Sequence, residues 1–119
     1  LHGVKFEAMA TLFYEKLNNI VIYEYGCVPH PTIDYFAASP DGIVDPSSVN
    51  KKYIGRMLEI KCPKSRELNG LVPEYYELQI QGQLEVCNLE YCDYLECEIK
   101  ECEPEKFYGL PDDTLKVLY

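Results

Sequence analysis

No two of the six cysteines in this chain stand in a C-x-x-C spacing. Zinc ribbons and most iron-sulfur centres use such pairs to bring two thiolates to one ion, so the sequence argues against a metal site of that kind. Cys87, Cys92, Cys97 and Cys102 recur every five residues. With Cys27 and Cys62 they read as reduced, mostly buried small hydrophobes in a cytosol-like compartment. Histidine is equally scarce. His30 lies between two prolines and His2 at the start of the chain, which gives little basis for histidine catalysis. A Gly-rich phosphate loop, a G-x-S-x-G elbow and a dinucleotide fingerprint are all absent. So is any run near the ~20 apolar residues that a membrane-spanning helix needs, and the start shows no signal-peptide pattern. The expectation is an intracellular protein, in the cytoplasm or nucleus of a host cell, neither secreted nor bound to a membrane.

Positive charge is also in short supply, with 11 Lys and Arg against 20 Asp and Glu and a net charge of −9. That sign is wrong for a protein that must meet a polyanion, so the distribution of charge matters more than the sum. Residues 51 to 66 carry Lys51, Lys52, Arg56, Lys61, Lys64 and Arg66 against Glu59 alone, while residues 67 to 108 hold eleven acids and two lysines. Contact with DNA is therefore expected to be local to the basic stretch. Further positive charge is expected from other segments, other subunits or bound metal. At 119 residues the chain is read as one domain, 1–119, with one modest core. Because it opens on Leu1, it is expected to be a fragment of a longer protein.

The informative residues cluster between positions 40 and 63. Pro40-Asp41-Gly42 marks a turn, and Leu58-Glu59-Ile60-Lys61-Cys62-Pro63 follows, with Glu59 eighteen positions after Asp41. Side chains alternate faces along a strand, so Glu59 and Lys61 share one face and Leu58, Ile60 and Cys62 the other. Asp41, just before a glycine that lets the next strand fold back alongside, delivers a second carboxylate to the same patch. Two acids and a lysine in the middle of a sheet suit metal-assisted phosphodiester cleavage. The acids hold a hard divalent cation, and the lysine handles the water or the developing negative charge.

These residues resemble the PD-(D/E)XK nuclease superfamily, and within it the lambda exonuclease branch that includes the YqaJ-type viral recombinases. Ala38-Ser39-Pro40-Asp41-Gly42-Ile43 and Leu58 to Pro63 resemble the fuller motif of that branch. Upstream, Gly3 to Tyr14 is similar to the family's first helix, with Glu7 at its acidic position. Downstream, Tyr76-Glu77-Leu78-Gln79-Ile80-Gln81 resembles its Tyr-x-x-Gln-x-Gln helix. The resemblance implies an α/β (α+β) fold with a restriction-endonuclease-like core, a central mixed sheet flanked by helices. It implies a metal-dependent exonuclease that degrades linear double-stranded DNA, 5′ to 3′, in viral or phage DNA recombination and repair. Such enzymes work at DNA ends as a ring of identical subunits beside a single-strand annealing protein, and they hold the 5′ phosphate with residues upstream of the first helix, a segment that this fragment is expected to be missing.

Carried onto this sequence, the catalytic candidates are Asp41, Glu59, Lys61 and Gln79. The metal ligands are Glu7, Asp41, Glu59 and the carbonyl of Ile60, for two Mg2+ ions that Mn2+ can replace. Contacts to nucleic acid fall to Ser39, Lys64, Arg66 and Tyr76, although the Ser39 hydroxyl equally suits stabilising the turn. Lys61 either takes the proton of the attacking water or, kept charged, orients it; Gln79 positions the water or the scissile phosphate. Two other readings stand beside this one, an endonuclease of restriction or junction-resolving type and a non-catalytic DNA-binding module. Retention of Asp41, Glu59 and Lys61 together counts against the last.

Hydrophobic spacing predicts the element order αβββαβ. Residues 3–18 form a helix with Ala8, Leu12, Phe13 and Leu17 at helical spacing, ended by Asn18-Asn19. Residues 20–28 form a strand, 35–39 and 42–44 flank the Pro-Asp turn, and 55–62 is the central strand, closed by Pro63. A helix follows from Pro73 to about Asn88, with Tyr76, Gln79, Ile80, Gln83 and Cys87 on one face. Residues 93–100 make the last strand, with Leu95, Cys97 and Ile99 on one side.

Overall fold

The computed structural model describes residues 2–62, 70–99 and 103–110. Helix α1 (His2–Asn18) leads into the strands β1 (Ile22–Tyr23), β2 (Val28–Pro29), β3 (Ala37–Ala38) and β4 (Gly42–Val44). A 3-10 turn at Lys51–Tyr53 precedes β5 (Met57–Lys61); then come α2 (Glu74–Cys87), β6 (Cys92–Glu96) and the short α3 (Pro104–Phe107). Four strands form one mixed sheet in the order β1-β4-β5-β6. Its first three strands are antiparallel and β5–β6 is parallel. A parallel neighbour requires a crossover, and α2 is that crossover.

Strand β5 owes its central place to its composition. Met57 and Leu58 are wholly buried and Ile60 nearly so, each contributing about 1.5–3 kcal/mol by leaving water. Leu58 and Ile60 pack with Ala10, Tyr14, Ile20 and Val44, and Cys62, Leu95 and Cys97 close the edge of that cluster. The alternation read from the sequence therefore holds, with the apolar face of β5 under α1 and the Glu59–Lys61 face turned away from it. Behind the cluster, the Tyr14 hydroxyl donates to Asp93. Arg56 reaches the other Asp93 oxygen at 2.9 Å and lies over the rings of Tyr53 and Tyr91.

Helix α1 turns a different face to the sheet than expected. Phe6, Ala10 and Tyr14, four residues apart, are the buried ones, whereas Ala8, Leu12 and Leu17 point outward. The helix carries two apolar stripes, and the one with the larger aromatic rings docks. Its end falls where predicted, because Asn19 takes the left-handed backbone conformation (φ 56°) that stops a helix. Asn88 (φ 53°) does the same after α2, its amide donating to the carbonyls of Leu84 and Glu85. Pro73 stands at the N-cap of α2 rather than in its first turn.

The strand expected over residues 20–28 is two. Gly26 at φ 70° swings the chain out of the sheet, and β2 pairs with β3 in a separate hairpin against which α2 packs. Strands β3 and β4 thus belong to different sheets, and Ser39-Pro40-Asp41 is the crossing between them. Pro40 is buried there, where its lack of an N–H leaves no donor unsatisfied. Glycine is required next. A Cβ on Gly42 would lie 2.2 Å from Cγ2 of Ile22 on β1, so only a bare backbone lets β4 slot between β1 and β5.

The central strand is shorter than the 55–62 expected, because Gly55 adopts φ 85° and the chain straightens only at Met57. The last strand likewise covers Cys92–Glu96 rather than 93–100. No helix among the described residues is long and apolar enough to cross a membrane.

Candidate active site

Strand β4 separates from β5 beside the proposed catalytic residues. Its pairing reaches Gly42 opposite Leu58 and goes no further, so the next outward-facing amide of β5, that of Ile60, has no strand partner. The Asp41 carboxylate takes it, with Oδ2 accepting from Ile60 N at 2.6 Å. In a strand the N–H and C=O of one residue leave on the same side. The Ile60 carbonyl, proposed as a metal ligand, therefore faces the same opening. Asp41 stands there because β4 begins one residue later and Gly42 forces the close approach.

Glu59 is 2% exposed. One carboxylate oxygen lies 3.2 Å from the Lys61 ammonium, while the other, Oε2, is buried without a hydrogen-bond partner. Burial is the main influence that raises the affinity of Glu59 for a proton, and the charge of Asp41 adds to it; Lys61 and the Gln83 amide act in the opposite direction. Lys61 is held from below as well, its ammonium 4.3 Å over the ring of Tyr76 on α2. Tyr76 in turn contacts the rings of Tyr75 and Tyr94.

Glu7 comes to the same place from α1. Its carboxyl is pushed up to about 7, chiefly by burial, then by the Asp41 charge and a hydrogen bond shared with Asp41, with Glu24 and Glu59 contributing. Glu7, Ala8, Leu12, Glu24 and Asp41 line one open groove of about 450 Å³. Among the described residues no three His, Cys, Asp or Glu side chains are drawn closely enough to hold an ion as they stand. The donor set nonetheless fits a hard divalent cation. Glu7 and Glu59 both hold protons more tightly than usual, and one buried Glu59 oxygen lacks any donor, a combination that a cation relieves.

Of the predicted site residues, Glu7, Asp41, Glu59, Ile60 and Lys61 are brought together, with Tyr76 against Lys61. Ser39 and Gln79 are exposed and face each other across a depression between β3 and α2 that Phe36, Gly82 and Gln83 also line. The amide that reaches Glu59 is that of Gln83, one turn beyond Gln79. Gln83 is 6% exposed, and its Oε1 is a buried atom without a partner. Sequence reasoning placed Gln83 on the right helix face and gave it no role, and it passed over Glu24. The signal for Gln83 was its i+4 spacing from Gln79. Lys64 and Arg66 lie outside the described residues. The five described cysteines are all free, Cys27 exposed and the others half-buried, more open than the mostly buried thiols expected.

The model of the YqaJ-like viral recombinase domain matches residues 1–90, and the chain belongs to that family. The resemblance read from the motifs is borne out. Over 99 residues the chain is 43% identical to the uncharacterized protein R354 of Acanthamoeba polyphaga mimivirus, a match covering 75% of this chain and 18% of that protein. Two crystal structures of LHK-Exo share its fold. One is described as an alkaline exonuclease from Laribacter hongkongensis (TM-score 0.67) and the other as a complex with dAMP (TM-score 0.66). Each is 28% identical, and each match covers 93% of this chain and 51% of that one. The chain thus spans about half the length of those structures. The restriction-endonuclease-like α/β architecture expected from the sequence is the architecture found.

Proposed function

We propose that this chain is the catalytic core of a metal-dependent deoxyribonuclease that degrades linear double-stranded DNA from its ends, 5′ to 3′, in viral recombination. The observation that carries the reading is the Glu59 carboxylate. It is buried with one oxygen on Lys61 and the other unpartnered, at the point where the sheet opens and Asp41 enters. Burying a carboxylate is costly unless it is paired or bound to metal. Membership of the recombinase family and the fold shared with an alkaline exonuclease support the same reading.

Glu59, Asp41, Glu7 and the Ile60 carbonyl would hold Mg2+, with Mn2+ as a substitute. When bound, divalent ions neutralise the charge that builds on the attacking and leaving oxygens of a phosphodiester. Lys61 holds or moves a proton at Nζ. Tyr76 and Glu59 fix its position, so that it meets the attacking water from one direction. Gln83 steadies the Glu59 carboxylate, and Ser39 and Gln79 line the depression through which the strand is led towards that carboxylate. A homo-oligomeric ring and an annealing partner come to the proposal from the family alone, and sedimentation of the protein tests the first.

The experiment is digestion of linear duplex DNA labelled at the 5′ or the 3′ end, with magnesium or with chelator, beside Lys61→Ala. Magnesium-dependent release of the 5′ label that is lost in the variant supports the reading. Cleavage of a supercoiled circle would replace it with an endonuclease. A folded protein that binds no divalent metal would refute the site.

A further inference from the structure

We infer that the loop of the β2–β3 hairpin presents Tyr35 as a stacking surface for an unpaired base of the DNA entering the site, an inference that rests on the nuclease reading above. Tyr35 is fully exposed. It holds a left-handed backbone (φ 69°), a conformation that non-glycine residues with a Cβ rarely keep unless their surroundings impose it.

The surroundings do impose it, through His30. Its Nδ1 accepts from the amides of Thr32 (3.1 Å) and Ile33 (2.9 Å). The proton is therefore on Nε2, which donates to Glu85 of α2 at 3.2 Å. The imidazole stacks on Phe36 (5.5 Å, 7°), and its backbone amide donates to the Phe36 carbonyl at 2.7 Å. The loop is thus fastened to its own backbone, to β3 and to α2. It holds out a ring that makes no hydrogen bond or ring contact with any described residue.

The chemistry of the hairpin selects the occupant. Between Val28 and Ser39 there is no Lys or Arg, and Asp34 is the only charged residue. The hairpin is therefore unsuited to clamp phosphates. A base offers a π-face whatever its sequence, and stacking on tyrosine is the contact such a surface makes. Location selects the substrate. Strand β3 continues through Ser39 and Pro40 into Asp41, six residues from Tyr35, a reach of about 20 Å at most at ~3.3 Å per residue. Bases within a duplex are stacked on one another, so the ring meets a base at a duplex end or in a separated strand.

The test uses the whole chain with Tyr35→Ala and Tyr35→Phe. Alanine keeps a Cβ, so the backbone strain is unchanged and only the ring is lost. The substrate is a linear duplex carrying 2-aminopurine at its terminal base, read by fluorescence quenching in the binding step and by digestion rate afterwards. Wild type and the Phe variant quench the probe alike. The Ala variant fails to quench and shows a KM for the duplex about tenfold higher, with kcat within about twofold of wild type. Equal quenching and equal KM in wild type and Ala variant would overturn the stacking role. Quenching that depends on Tyr35, in a protein that never digests the duplex, would uphold the stacking contact and sink the nuclease reading.

Discussion

The ammonium of Lys61 rests 4.3 Å above the ring of Tyr76, so the tyrosine supports the lysine. A cation over an aromatic face gains about 0.5–2 kcal/mol. Tyr76→Phe keeps the ring and is expected to keep kcat within about twofold. Tyr76→Ala releases the ammonium and should lower kcat about tenfold with little change in KM. Single-turnover kinetics check this; a rise in KM alone would return Tyr76 to the nucleic-acid surface.

Glu59→Gln separates function from stability. The carboxylate is buried and its affinity for a proton is raised chiefly by that burial, so ionised Glu59 weakens the metal-free fold at neutral pH. Glutamine removes the charge at nearly constant volume. Thermal denaturation without metal should give an unchanged or higher Tm, while calorimetric titration with Mg2+ or Mn2+ should show binding lost.

Glu7 makes the metal-free protein sensitive to pH. Its carboxyl sits at about 7 against an ordinary 4.5, so between those values the folded state binds more protons than the unfolded one. The stabilisation is complete below about 4.5 and is lost as pH rises through about 7. Tm measured without metal should fall across that window, and Glu7→Gln should flatten the fall. Added Mg2+ should raise Tm more at pH 8 than at pH 5, since it binds the ionised form.

Gly42→Ala tests the sheet. The new methyl group would meet Ile22 at 2.2 Å, and overpacking of this kind costs about 1–3 kcal/mol. A drop in Tm of several degrees is expected. Ile22→Ala in the same chain should restore part of it, which a double-mutant cycle measures.

Thiol reactivity should rank the described cysteines by exposure. Burial pushes Cys62 up to about 11 and Cys92 to about 12, and Cys87 and Cys97 are also raised. Thiolate is the reactive form. Alkylation of native protein at pH 8 followed by peptide mapping should find Cys27 modified ahead of these four.

Much of the site was legible because a strand has a period of two. Glu59 and Lys61 on one face and Leu58, Ile60 and Cys62 on the other followed from that period alone, and the Pro-Asp-Gly turn fixed where the second acid would enter. Helix α1 was harder to read, since Phe6-Ala10-Tyr14 and Ala8-Leu12 are both apolar stripes, and the sheet that chooses between them lies far along the chain. The break at Gly26 was hidden in a run of β-branched residues and tyrosines. Gln83 was marked only by its helix face, four residues after Gln79, because its burial depends on Glu59, which reaches it from a different element.

Asp41 occupies the spot where one strand of a sheet runs on without its neighbour, and an unpaired strand margin invites a strand from another molecule. By taking the Ile60 amide, its carboxylate closes that margin to intermolecular pairing. Replacing Asp41 with alanine would therefore leave a sticky seam, and variants at this position are expected to self-associate in solution where those at Lys61 do not.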